Sequence, residues 1–226
     1  MRTLIPTFIL LSLIPFSLYA SARSNSGGLA ERVAELEAQV AAMEEILQFV
    51  HVEEEEIRGV TGPHWIIEGA NVHVRSGSGN TFDSCTDLDP GWPNCEFLSG
   101  LGNLIIGYNE QAAAGHPQPR EVRTGSHNLI VGVYHSFSSF SGFVAGLKNA
   151  VTGWSASVCG GVNNTASGSF SSVSGGTENQ ATGRSASVSG GTENLASGDG
   201  ASVSGGQDRE APDEDNWVAG ELFEEN

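Results

Sequence analysis

Apolar positions along the chain follow two different rhythms. In the first, Leu29, Val33, Leu36, Val40, Met43, Leu47 and Val50 recur at alternating steps of four and three residues, which keeps a narrow stripe on one side of a helix. The Ala, Glu, Gln and Arg residues between them favour helix, and "SNSGG" just upstream offers a flexible entry. A lone helix of this length is marginal in water, and a chain folding back on it would call for a wider apolar face. The pattern therefore predicts an oligomerising coiled coil over 23–58. Valine alternating with leucine or methionine does not fix the number of strands.

From Pro63 the helical period stops and short β-branched or aromatic runs separated by glycine take over, beginning with "WIIEGANVHVRSGSG". This places a domain boundary near Gly59 to Pro63 and a β-rich entry segment over 63–99. Related words then appear at 100–110 ("GLGNLIIGYNE"), 125–136 ("GSHNLIVGVYHS") and 141–153 ("SGFVAGLKNAVTG"). Beyond them the repeat becomes regular: Val158, Val173, Val188 and Val203 are 15 residues apart, as are the glycine pairs from 160/161 to 205/206, Asn164, Asn179 and Asn194, and Gly153, Gly168, Gly183 and Gly198. A fixed period of this size is a solenoid signature. In "SASVS" the alternation puts Ala186 and Val188 inside and Ser185, Ser187 and Ser189 outside. Each GG supplies turn geometry, each Asn is expected in a left-handed conformation with its copies stacked above and below, and a second short strand buries Ala181 or Ala196. One valine and two alanines per coil bury too little apolar surface to offset the ordering of fifteen residues. A coil must gain its stability from its neighbours.

These words, "ASVSGG" around Val173, Val188 and Val203 and "LIIG" or "LIVG" ending at Gly107 and Gly132, resemble the YadA-like head repeat of trimeric autotransporter adhesins. The similarity covers 100–206. It implies a left-handed parallel β-roll, three of which pack into a homotrimeric head, with a parallel trimeric coiled coil as stalk. In that family the head usually precedes the stalk and a membrane-embedded barrel segment anchors the chain. Here the coiled coil comes first, and an acidic tail over 207–226, with Trp217, Leu222 and Phe223, is expected to fold back as a cap.

Residues 1–22 carry Arg2, an apolar run and the small residues Ala20-Ser21-Ala22, the pattern of a secretory signal peptide cleaved after Ala22. The mature chain is thus expected outside the cytoplasm or at the cell surface, without direct membrane insertion. In an oxidising compartment Cys85 and Cys95, which bracket "CTDLDPGWPNC", are expected to pair. Cys159 replaces the serine of the other copies, and is either an inert small residue or, in an oligomer, a neighbour of its own copies. The net charge of −17 argues against nucleic acid and anionic lipid as partners.

Catalytic constellations are lacking in the sequence: no nucleophile elbow, phosphate-binding loop or His-Glu-x-x-His occurs, and the six histidines are scattered. No enzyme activity, cofactor or metal is expected. Asp83, Asp87 and Asp89 offer oxygen ligands but lack the glycine and distal glutamate of a calcium loop. Phe143 aligns with Val158 as core. Phe137 and Phe140 are expected to fill the wider end of the roll or the gap between chains, and are kept as candidate ligand contacts should they instead form an exposed apolar patch. The insertion at 109–124, with His116 and Arg120, interrupts the roll and is the expected contact surface. Two functions fit: an adhesin-like binding protein for host-surface, matrix or other cell-surface ligands, and a structural spacer that binds nothing itself.

Overall fold

The computed structural model describes residues 28–81, 98–111 and 121–220. The expected signal peptide over 1–22, Cys85, Cys95, the Asp83–Asp89 cluster, His116, Arg120, Leu222 and Phe223 lie outside the described residues. The chain divides into two compact units, 1–71 and 72–226.

In the first unit α1 spans Leu29–Leu47. Gly28 occupies its N-cap position with extended backbone, and its carbonyl accepts from Glu31 and Arg32 N–H at 3.0 and 3.3 Å. None of the helix residues is buried, so the stripe from Leu29 to Leu47 stands open on the single chain. Val50, the seventh position of the stripe, is not helical. It opens β1 (Val50–Glu53), which pairs antiparallel with β2 (His64–Ile67). The alternating, β-branched Val50-His51-Val52 takes the extended form as soon as the helical pattern runs out. Between these strands Ile57 and Val60 bridge, and Arg58 and Gly59 turn the chain with φ of +50° and +87°, the positive pair of a tight hairpin turn. The expected boundary at Gly59 to Pro63 is thus the inside of a hairpin.

The second unit is a parallel β-solenoid. One sheet of eight strands runs β3 (Leu104–Ile106), β4 (Leu129–Val133), β6 (Phe143–Leu147), β8 (Ser157–Val158), β10 (Ser172–Val173), β12 (Ser187–Val188), β14 (Ser202–Val203) and β16 (Trp217–Val218). The other, of six, runs β5 (Ser136–Phe137), β7 (Ala150–Val151), β9 (Thr165–Ala166), β11 (Gln180–Ala181), β13 (Leu195–Ala196) and β15 (Glu210–Ala211). A third column of parallel bridges joins Leu147, Val162, Thr177, Thr192 and Gln207. Inside, Val144, Val158, Val173, Val188 and Val203 stack in one row and Val151, Ala166, Ala181, Ala196 and Ala211 in the other, all buried. The core is one side chain thick on each face, so the ladders between coils must hold it together.

Three details differ from the sequence reading. Val144, not Phe143, pairs with Val158, and Phe143 pairs with Ser157. The coils from Leu129 to Phe143 and from Phe143 to Ser157 advance by 14 residues rather than 15, and a slip of one residue turns a strand position to the opposite face. Second, residues 207–218 are not an irregular cap. β15 and β16 add another coil in register, with Ala211 on Ala196 and Val218 on Val203. Third, the left-handed residue of each turn is the one before the asparagine, or before Arg209 in the last coil: Asn163, Glu178, Glu193 and Asp208 have φ of +57°, +58°, +57° and +54°.

The asparagines themselves point inward and form a ladder. Asn164, Asn179 and Asn194 are buried. The Asn179 N–H donates to Asn164 Oδ1 at 2.9 Å, and the Asn194 N–H to Asn179 Oδ1 at 3.1 Å. Each Nδ2 reaches two glycine carbonyls, for Asn179 those of Gly175 at 3.0 Å and Gly191 at 2.9 Å. One side chain thereby satisfies polar backbone groups in its own coil and in the next.

Candidate binding surface

The solenoid is a rigid carrier, so a site on it consists of what departs from the repeat. Phe137 and Phe140 do depart, but both are buried, 3% and 2% exposed, Phe137 in the core of the roll and Phe140 against Trp154. Phe137 stands in the row of Val151 and Ala166, filling the start of the roll with a larger side chain. Neither phenylalanine forms an exposed apolar patch on the chain.

The aromatic surface lies elsewhere. Trp154 packs between Phe140 and Phe170, with ring centroids 5.8 and 4.9 Å away. Phe170 is 45% exposed and held at φ of +61°, an unusual conformation for a bulky residue. Its stacking on Trp154 and the bond from its N–H to the Trp154 carbonyl at 2.9 Å hold it there. The sequence signal was faint. The two bulky residues sit in adjacent coils but one position out of step, where a search at a spacing of fifteen does not see them.

A second departure is a column of acids on the turn positions, Glu178, Glu193 and Asp208, bordered by Asn163, Thr165 and Gln180 in a shallow groove. A hydrogen bond with Asp208 and the Asp208 charge, with burial and Glu178 adding to them, hold the Glu193 carboxyl above its usual range. The sign is that of repulsion relieved by a proton: the column is most comfortable in acid and less so as pH rises through that carboxyl. Among the described residues no group of three or more His, Cys, Asp or Glu side chains is placed to hold a metal ion, and no helix is long and apolar enough to cross a membrane. Cys159 is exposed and free.

The third departure is the insertion at 109–124, whose two ends are fixed to the roll although 112–120 lie outside the described residues. At its start Asn109 is buried, with Oδ1 accepting the His135 N–H at 2.9 Å. At its finish the Val122 N–H donates to Ser136 Oγ at 3.2 Å, and the Val122 carbonyl accepts from Phe137 N–H at 2.8 Å. Arg123 ties the ends to each other: Nε donates to the His135 carbonyl at 3.2 Å and Nη2 to the Glu110 carbonyl at 2.6 Å. Beside these roots Tyr108, Val122 and Tyr134 are exposed. The arrangement can present a loop on a fixed base, with apolar and tyrosyl surface around it. In comparisons with known proteins, no family model matches the chain and no curated protein is similar to it in sequence.

Proposed function

We propose that this chain is a secreted or surface-displayed, trimeric, adhesin-like binding protein whose β-roll, of the YadA-like head type, presents the 109–124 insertion on a rigid base. The observation that carries this reading is the way both ends of the insertion are bonded to the coil of His135 and Ser136, so that a long loop interrupts the repeat without disturbing the register of β3, β4 and β6. Loops on rigid scaffolds are where recognition is commonly built. The trimer rests on α1, whose stripe needs partner helices, and on the leanness of the coils. In a parallel in-register coiled coil Arg32 of one chain faces Glu37 of the next across the seam, the arrangement of opposite charges that favours this orientation. The resemblance in the repeat words supplies the adhesive role, an analogy from fold to function.

Beads coated with the mature chain should adhere to cells or to extracellular matrix, and deletion of 109–124 should abolish that adhesion while circular dichroism stays unchanged. Adhesion that survives the deletion removes the loop from the account.

A second reading, a non-enzymatic spacer, is favoured by the uniformity of the coils from Ser157 to Val218, which repeat one register throughout. Its mark is different. Excising 173–187, which joins Ser172 to Val188, would shorten the protein by one coil with no other loss of function.

A further inference from the structure

The asparagine ladder contains one substitution with chemical consequences. The position held by Asn149, Asn164, Asn179 and Asn194 in later coils is held in the coil of β5 by His135, which is fully buried. Its ring does what an asparagine side chain does: Nδ1 faces the Asn149 N–H at 3.2 Å, where the next coil has Asn164 N–H on Asn149 Oδ1 at 2.7 Å. Nε2 faces the Val131 carbonyl at 3.1 Å. A carbonyl can only accept and an amide N–H can only donate, so the ring must be the neutral tautomer with its proton on Nε2. The ring has little room to turn, because a Cβ at Gly132 would already lie 2.9 Å from Nε2.

The same residue holds the insertion by its backbone, N–H on Asn109 Oδ1 and carbonyl on Arg123 Nε. We infer that His135 is an acid-labile clasp: its neutral imidazole locks the ladder beneath the insertion, and a second ring proton sets two donors face to face at Asn149 and frees both ends of 109–124 from the roll. Asparagine in this position would serve the ladder equally well at neutral pH, but it cannot titrate. Of the charged groups nearby, Arg123, on the insertion, opposes a second positive charge on the ring. Lys148 precedes Asn149 in the next coil and would act the same way, whereas Glu110 and Glu121, at the insertion ends, would favour that charge. Burial first, and the Arg123 charge in addition, hold the imidazole below its ordinary value of 6.5, against the hydrogen bond to the Val131 carbonyl. With a lowered folded value, the stabilisation is complete above 6.5 and lost as pH falls through the folded value.

The test is amide hydrogen exchange on the mature full chain from about pH 7.5 to about pH 4.5, corrected for intrinsic rates, with His135→Asn alongside. In the wild type, opening at the Asn149, His135 and Phe137 amides should rise about tenfold per pH unit below the ordinary imidazole value. In the variant those amides should show no such slope, and the Asn179 and Asn194 amides should show none in either protein. A flat wild-type profile, or an equal slope in the variant, overturns the clasp. NMR of the His135 ring nitrogens decides the matter even if the variant fails to fold. The Nε2–H form with a midpoint below 6.5 supports the clasp, and the Nδ1–H form or a midpoint at or above 6.5 overturns it. The outcome does not depend on whether the insertion binds a ligand.

Discussion

Exchanging Gly176 for alanine should cost at least about 3 kcal/mol of folding stability, while the same change at its neighbour Gly175 should leave stability within about 1 kcal/mol of the wild type. Both sit in one GG pair, and composition does not distinguish them. Gly176 has φ of +86°, and a Cβ there would collide with the Gly191 carbonyl oxygen of the next coil and press on Asn179 Nδ2. The coils would have to part locally, weakening the ladder bonds from Val162 N–H to the Gly176 carbonyl and from Thr177 N–H to the Gly191 carbonyl. A Cβ at Gly175 meets nothing within 4 Å, and its φ is not positive. Urea unfolding of the two variants, side by side, checks the pair. Equal effects at the two positions would mean that the coils are not packed backbone against backbone.

The second large effect is expected at Asn179. Replacement by alanine removes the acceptor of the Asn194 N–H and the donor that satisfies the Gly175 and Gly191 carbonyls. The Gly191 carbonyl keeps the Thr177 N–H, while the Asn194 N–H and the Gly175 carbonyl lose the partner that Asn179 supplies. At about 1 to 3 kcal/mol for each of these two groups, partly relieved by water, the loss should be about 2 to 4 kcal/mol. Thermal unfolding of Asn179→Ala measures it. A loss below about 1 kcal/mol would show that water replaces the side chain freely and that the ladder contributes little.

Much of the solenoid is legible in the sequence because its inward positions are few and nearly invariant from coil to coil. Valine and alanine recur at a fixed spacing, and a period of two within "SASVS" assigns the faces correctly: Ala186 and Val188 are buried, Ser185 and Ser189 exposed. The errors arise where the period or the outward residues change. The 14-residue coils around Phe143 shift the register by one, which no single side chain announces. The coil at 207–218 was hidden by its surface. Asp208, Glu210, Asp213, Glu214 and Asp215 look like an acidic tail, yet Ala211 and Val218 keep the inward spacing of 15. In the sequence the asparagines look like turn residues because asparagine tolerates the left-handed region. In the fold their amides are worth more inside, and the left-handed strain falls on the preceding residue, whose N–H is tied back to the previous coil, as in Glu178 N–H to the Val162 carbonyl at 3.0 Å.

The candidate surface is less legible, for a physical reason. An aromatic residue between glycines and serines has the same local pattern whether it fills the roll, as Phe137 does, or packs with Trp154, as Phe140 and Phe170 do. Only the register of the coils separates the cases. The insertion was recognisable as a break in the repeat, but its anchoring through Asn109, Arg123 and His135 depends on contacts between coils that periodicity does not reveal.

We propose that coils this lean hold together by stacking on one another and by packing against sister chains through the stripe of α1. Sedimentation equilibrium of the mature protein, with and without residues 29–47, tests it most directly. A mass near that of three chains, falling when the helix is removed, is the predicted result. A well-folded single chain at every concentration, unaffected by loss of the helix, would contradict it.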